Sequence, residues 1–274
     1  MNIFALVVLY KNEPMNSESL VTLSKQDPGQ SVHVFVWDNS PYVCSDLGRK
    51  WLQGTFASSE YYHCPENWSL AKIYSYIISS RMNVTPRCFD YLLLLDQDSN
   101  LPKTFLEVAR RATCNGEKVD LFIPNVFSHG HLISPAHLIY FKGRYLKRRH
   151  VGLLNLHFKT AINSGMLISA KYLSDKFTGY HEKLSFYGTD DWFCQRLSAG
   201  GGTCFVLDID VDHDLSQYQE ESVDTKLWRH REIIRATRII NEVGRFRRWC
   251  CYFYTLLVSV RKALEYRDRR FLEC

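Results

Sequence analysis

Residues 3–9, Ile-Phe-Ala-Leu-Val-Val-Leu, are an uninterrupted apolar run rich in β-branched positions, the pattern of a strand buried on both faces. Lys11-Asn12-Glu13-Pro14 ends it, and a helix is predicted over 15–25 with Leu20 and Leu23 on its apolar side. Gln26-Asp27-Pro28-Gly29-Gln30 reads as a turn into a second strand over 32–37, which stops at Asp38-Asn39-Ser40-Pro41. Tyr61-Tyr62-His63 reads as a third, short strand, and Asn67-Trp68-Ser69 as the cap of a helix over 70–80. Residues 90–95 predict another buried strand, ending in Asp96-Gln97-Asp98-Ser99. Leu101-Pro102 then opens a helix over 103–113, before a further strand at 119–123. Weak periodicity over 127–158 reads as an insertion, a hairpin or mobile loop over a site. After 161–169, helices are predicted over 170–176 and 186–198, the second entered from Gly188-Thr189-Asp190 and broken by Gly200-Gly201-Gly202. A strand over 203–211 ends in Asp212-His213-Asp214, and from 222 the chain reads as helical and basic.

This alternation predicts an α/β fold, a mostly parallel sheet flanked by helices over residues 1–220, followed by a basic, amphipathic helical C-terminal extension over 221–274. With 46% hydrophobic and 23% charged residues, a packed core is expected and global disorder is not. The net charge of +5 is not read as a nucleic-acid signal, because the cations are bunched. Lys142, Arg144, Lys147, Arg148 and Arg149 lie in the insertion; Arg245, Arg247, Arg248, Arg267, Arg269 and Arg270 lie in the tail. Interleaved with aromatics, the tail over 226–274 suits peripheral contact with an anionic membrane, or a solvated helical face. Its most apolar stretch, 249–260, is too short to span a bilayer but fits an interface. The N-terminus lacks a basic n-region and a small-residue cleavage site, so it reads as a strand and not as a signal peptide. The nine cysteines include no C-x-x-C pair and no zinc spacing, which points to a reducing cytosol.

Polar clusters follow four predicted strands: Tyr10-Lys11-Asn12-Glu13, Asp38-Asn39-Ser40, Asp96-Gln97-Asp98 and Asp212-His213. In an open α/β sheet, ligands bind at the carboxyl ends of strands, so parallel neighbours bring all four clusters to one crevice. Asp96 and Asp98, at i and i+2 in an extended segment, point to one side and suit a hard divalent cation that also binds phosphate oxygens. A solvated loop or a helix cap is the plainer reading of two such aspartates. His213 completes a carboxylate-rich Mn²⁺ or Mg²⁺ site. Asp190-Asp191 opens a helix, where acidic residues stabilise the first turn; equally, one carboxylate is a general base, its pKa raised by Phe186, Tyr187, Trp192 and Phe193.

Taken in order, these segments resemble a known family. They are Leu-Val-Val-Leu-Tyr (6–10), Trp-Asp-Asn-Ser (37–40), Asn67 before a helix and Leu-Leu-Leu-Leu-Asp-Gln-Asp-Ser (92–99). Asn-Ser-Gly-Met-Leu-Ile-Ser (163–169), Gly-Thr-Asp-Asp-Trp-Phe-Cys-Gln-Arg (188–196) and Asp-His (212–213) complete the set. The pattern resembles glycosyltransferase family 2, of GT-A (Rossmann-like) fold, over about residues 1–215. The Asp-Gln-Asp-Ser form is most similar to the bacterial rhamnosyltransferase-like branch, which builds O-antigens, capsules and related glycans. The resemblance implies inverting transfer from a nucleoside-diphosphate sugar, dTDP-rhamnose or a UDP-sugar, to a glycan or lipid-linked acceptor. It implies that Tyr10, Glu13 and Asp38 hold the nucleotide, with Asn67 and Lys72 near it and Asp96 and Gln97 nearer the ribose or donor sugar. Asp98 and His213 become metal ligands, and Asp190, six residues before Arg196, the base, with Asp191 its neighbouring alternative. Trp192 stands where many members carry an acid, and Ser69-Leu70 where many carry glycine. The implied location is the cytoplasm, at the inner face of the membrane.

Three other classes compete. A sugar-phosphate nucleotidyltransferase carries a Gly-rich phosphate loop after its first strand, and residues 9–16 contain no glycine. A metal-dependent phosphodiesterase or nuclease uses similar carboxylates. A non-catalytic nucleotide-sugar-binding protein has no need of Asp190 and His213 together with the aspartate pair.

Overall fold

A computed structural model describes residues 1–26, 31–82, 88–114, 118–139, 141–213 and 222–274. The turn predicted at 27–30 and Asp214 lie outside the described residues. The strands are β1 (Asn2–Leu9), β2 (Ser31–Asp38), β3 (Ser59–His63), β4 (Tyr91–Asp96), β5 (Ser99–Asn100), β6 (Leu121–Ser128), β7 (His131–Ser134), β8 (Ala136–Ile139), β9 (Lys142–Tyr145), β10 (Gly152–Leu154), β11 (Lys159–Thr160), β12 (Met166–Ser169) and β13 (Cys204–His213). The helices are α1 (Glu18–Leu23), α2 (Asp46–Thr55), α3 (Leu70–Ile77), α4 (Phe105–Cys114), α5 (Ala170–Asp175), α6 (Thr189–Ala199), α7 (Val223–Ile240) and α8 (Arg245–Tyr266).

The main sheet runs in the order β10-β13-β6-β12-β4-β1-β2-β3. β1 pairs in parallel with β2 and β4, and β2 with β3. β12 is antiparallel to both β4 and β6, while β13 runs parallel to β6. The carboxyl ends of β1, β2, β4, β6 and β13 therefore share one edge, as the polar clusters require. The apolar runs are continuous because both faces are covered. Phe4, Leu6, Leu92 and Leu94 join one buried cluster, under α3, α5 and α6; Ile3, Ala5, Val7, Leu93 and Leu95 join the other, under α1, α2 and α4. Ala236 and Ile240 of α7 belong to the first cluster.

Several elements differ from the pattern-based expectation. The first predicted helix is split into a short turn at Pro14–Asn16 and α1, which Ser17 caps by accepting from Leu20 N–H. Helix α2 had no predicted counterpart: Ser45 caps it, but Gly48 and Gly54 lower its helix propensity and it buries only Gly48 and Leu52. The insertion over 127–158 is ordered pairing. β7 folds back on β6, β8 and β9 form a hairpin, β11 adds to β8, and β10 pairs with β13. The strand predicted over 203–211 continues through His213, so Asp212 and His213 are in the ladder and not beyond it.

Candidate active site

β13 stands three places from β4 in the sheet, too far for simple adjacency to join their ends. Its length makes the connection. The strand shifts register between Val206 and Asp210, and its tip pairs antiparallel with β5, Asp212 opposite Asn100 and His213 opposite Ser99. His213 is thereby set beside Asp98: its Nδ1 lies 3.5 Å from Asp98 Oδ1 and 3.5 Å from Ser99 Oγ. Asp212 is exposed, as expected of the alternate position on a strand.

Gln97 and Asp98 form a turn, not the extended segment expected, so the two aspartates acquire different partners. Asp96 accepts a hydrogen bond from the Ser164 hydroxyl. Ser164 is carried there by the Asn163-Ser164-Gly165 turn before β12. Gly165 has φ +83°, and a Cβ on it would stand 2.8 Å from Pro124. Asp98 faces His213 and remains near enough to Asp96 to be repelled by it. Partial burial, with the side chain still 42% exposed, pushes its carboxyl up to about 6, opposed by His213 and helped by Asp96.

A carboxylate oxygen and an imidazole nitrogen at this spacing fit one hard divalent ion, whose neighbouring ligands stand roughly 3–3.5 Å apart. Among the described residues no group of three His, Cys, Asp or Glu side chains is placed to hold a metal. Among the described residues the pair Asp98 and His213 is therefore what this edge offers such an ion.

Asp190 and Asp191 begin α6. The N-cap is Gly188, at φ +80°, where a Cβ would stand 2.8 Å from Ile240 and 3.0 Å from Ala236 of α7. Asp190 Oδ1 accepts from Asp191 N–H at 2.8 Å. Burial and then repulsion from Asp191 push the Asp190 carboxyl up to about 8, and Asp96 adds to the repulsion. The helix N-terminus favours a charged carboxylate, but desolvation outweighs it. Burial also raises Asp191, against the pull of the Thr160 hydroxyl, which donates to its Oδ1 at 2.5 Å.

The aromatics expected around Asp190 have partners of their own. Phe186 and Tyr187 lean on Trp228 of α7 with tilted rings, Phe193 packs on Tyr172, Phe177 and Tyr180, and Trp192 Nε1–H donates to Gly179 O. Tyr74 and Tyr180 are the rings whose hydroxyls feel Asp190, both raised well above their ordinary pKa, mainly by burial. Nothing in the local sequence marks them, because they come from α3 and the loop before α6. Asn163 was legible only as part of a motif; buried, it donates to Thr189 Oγ1 at 3.0 Å, while its Oδ1 has no hydrogen-bond partner.

The other side of the crevice is formed by the ends of β1, β2 and β3. Gln97 Oε1 accepts from Tyr10 N–H at 2.9 Å and ties the ends of β4 and β1 together, leaving the Tyr10 ring 43% exposed. Asp38 is buried; it accepts from Ser40 N–H at 3.0 Å and from the Tyr61 hydroxyl. Glu13 accepts from Ser45 N–H at 3.0 Å and from its hydroxyl at 2.9 Å, which ties it to the start of α2. Asn67, at φ +48°, accepts from Asn39 Nδ2 at 2.8 Å. Lys72 places its Nζ 3.4 Å from the centre of the Trp68 ring.

No protein-family model matches the chain, and no curated protein does. Solved structures do. Residues 1–349 of Staphylococcus aureus TarS match 92% of this chain and 68% of that one, at TM-score 0.58 and 15% identity, alone and in complex with UDP. GalNAc-T7 with UDP, GalNAc and Mn²⁺ matches 99% of this chain and 54% of that one, at TM-score 0.65 and 11% identity. The chain spans 41% of a longer TarS structure. At these identities the likeness is one of fold: the chain has the GT-A glycosyltransferase fold.

Proposed function

We propose that the chain is an inverting, metal-dependent glycosyltransferase that moves a sugar from a nucleoside-diphosphate sugar to a glycan or lipid-linked glycan. One observation carries this reading. At one strand edge, a carboxylate–imidazole pair suited to a divalent ion meets a separate, desolvated carboxylate suited to proton transfer. The structural neighbours solved with UDP, and in one case Mn²⁺, support the choice of donor and ion.

Residues 1–220 form the catalytic unit in this reading. Tyr10, Glu13, Asp38, Asn67 and Lys72 make the nucleotide side, with Asp96 and Gln97 between nucleotide and sugar. Asp98 and His213 hold Mn²⁺ or Mg²⁺, which when bound supplies positive charge to offset the charge of the departing diphosphate. Asp190, a stronger proton acceptor than an ordinary carboxylate, takes the proton of the acceptor hydroxyl. That oxygen bonds to the anomeric carbon from the face opposite the diphosphate, and the electrons of the breaking C–O bond leave with the diphosphate. Asp191, held by Thr160, is the alternative base.

The pathway we favour is bacterial surface polysaccharide synthesis, with dTDP-rhamnose or a UDP-sugar as donor, at the inner face of the cytoplasmic membrane. Helix α8 supports the location. It buries Cys251, Thr255 and Ser259, while Phe246, Trp249, Phe253, Leu256, Leu257, Val260 and Leu264 are exposed at helical spacing, an apolar stripe turned outward. Among the described residues no helix is long and apolar enough to cross a membrane. A helix of this kind lies in an interface, and the neighbouring arginines suit anionic headgroups. Because α7 contributes to the main core, tail truncation is a poor test. Full-length protein and its Phe253→Glu and Leu257→Glu variants are instead to be sedimented with phosphatidylglycerol vesicles. Recovery should fall in the variants, and equal recovery rejects membrane contact.

The function itself is tested by a thermal-shift screen of nucleoside diphosphates with Mn²⁺ or Mg²⁺, followed by a panel of donor sugars. Transfer with release of nucleoside diphosphate supports the reading. Binding with no turnover on any acceptor favours a nucleotide-sugar-binding protein, and pyrophosphate release favours a nucleotidyltransferase.

A further inference from the structure

A cleft of 670 Å³ lies between the β8–β9–β11 sheet, α6 and the α7–α8 connection. Leu138 and Phe158 come from the sheet and its loop, Trp192 and Gln195 from α6, and Phe246 and Cys250 from α8. The walls are apolar, yet Lys159, Arg196 and Arg247 also line them, and no Asp or Glu does. The three cations have neutral partners. Lys159 Nζ donates to Asn155 O at 2.9 Å, Arg247 to Asn241 Oδ1 at 2.7 Å, and the Arg196 guanidinium lies 4.2 Å from the centre of the Trp192 ring. A cleft with apolar walls and three cations that lack carboxylate partners among the described residues is complementary to an anion with a hydrocarbon tail.

Its position gives that ligand a use. Lys159 precedes Thr160 and Trp192 follows Asp191, so one end of the cleft adjoins the bonded Thr160–Asp191 pair. Asp191, Gln195 and Ser198 stand at i, i+4 and i+7, and the cleft follows this face of α6 away from the carboxylates. The buried Nε2 of Gln195 has no hydrogen-bond partner. At its other side the cleft is continuous with the outward stripe of α8, because Phe246 belongs to both.

We propose that this cleft seats a single-chain amphiphilic acceptor, its tail on the apolar walls and its anionic, phosphate-type head on the cations Lys159, Arg196 and Arg247 that line it. The word acceptor rests on the glycosyltransferase reading; the binding does not.

The test uses full-length protein without donor or metal, titrated calorimetrically with dodecyl phosphate below its micelle concentration. Saturable binding of one molecule per chain is expected. Dodecyl maltoside, with a neutral head, and inorganic phosphate, with no tail, should each bind at least about tenfold more weakly. Arg247→Gln should weaken dodecyl phosphate about tenfold, one close charge pair, and Ser198→Trp should abolish binding by filling the cleft. Phe253→Glu, on the outward stripe, should leave it unchanged. If Ser198→Trp fails to fold, Arg247→Gln decides. Binding that survives both cleft variants, or is lost in Phe253→Glu, places the ligand on the helix surface and overturns the proposal, as does equal affinity for dodecyl maltoside. A parallel titration with UDP and Mn²⁺ separates the two readings. UDP binding without dodecyl phosphate binding removes the cleft proposal alone; the reverse removes the donor reading and leaves the cleft.

Discussion

On the β1–β2–β3 side of the crevice, the polar side chains assigned to the nucleotide already have protein partners. Asp38 is held by Ser40 and Tyr61, Glu13 by Ser45, and Asn67 by Asn39. On the β4–β12–α6 side, Asp96, Asp98, Asp190 and Asp191 are gathered; burial and mutual repulsion push the carboxyls of Asp98 and Asp190 up to about 6 and about 8. The buried Asn163 Oδ1 there has no hydrogen-bond partner. The difference teaches which side is scaffold and which is poised. Satisfied groups fix a shape, whereas desolvated carboxylates store unfavourable electrostatics that a cation or an acceptor proton relieves.

The sharpest way to break this comparison is at its most desolvated carboxylate. Asp190→Asn should lower kcat by on the order of 10²–10⁴-fold while nucleotide binding, read by thermal shift, persists. A larger loss in Asp191→Asn would transfer the base to the neighbour. Next, Asp98→Ala and His213→Ala should each remove the Mn²⁺-dependent part of stabilisation by a nucleoside diphosphate. That stabilisation is about 2.7 kcal/mol in wild type at a hundredfold excess over Kd. Tyr61→Phe probes the scaffold side. It deprives the buried Asp38 of a donor and should cost about 1–3 kcal/mol in urea unfolding, with kcat unchanged. A change in kcat with no loss of stability would dissolve the distinction.

The comparison is also sharpened by the pH dependence of folding. Asp190 has a folded pKa of about 8, above the ordinary value of 3.8, so between these values the folded state binds the extra proton. Its contribution to stability is full below about pH 4 and is lost as the pH rises through about 8. Asp190→Asn should therefore flatten the decline of unfolding free energy measured over that window.

Much of this was legible in the chain. The runs at 3–9 and 91–95 had to be buried strands, because so many consecutive apolar residues need cover on both faces, and 203–211 reads as a strand whose second half alternates, with Asp208 and Asp210 outward. Their polar ends announced an edge with chemistry. Helix α2 was not legible, since two glycines and few buried apolar positions leave little periodic signal; its place depends on Ser45 meeting Glu13 from another element. The insertion was equally opaque, because its short strands gain their partners from β6, β13 and one another.

By itself the sequence determined the layered sheet, the shared strand edge and the acidic character of what stands there, because period and burial are local properties. Only the tertiary structure decided the partners. It split Asp96 from Asp98 by a turn, carried His213 across the sheet on β13, and brought the hydroxyls of Tyr74 and Tyr180 within electrostatic reach of Asp190. Those pairings follow from strand order, a register shift and the approach of α7 to Gly188, and no spacing along a single chain encodes them.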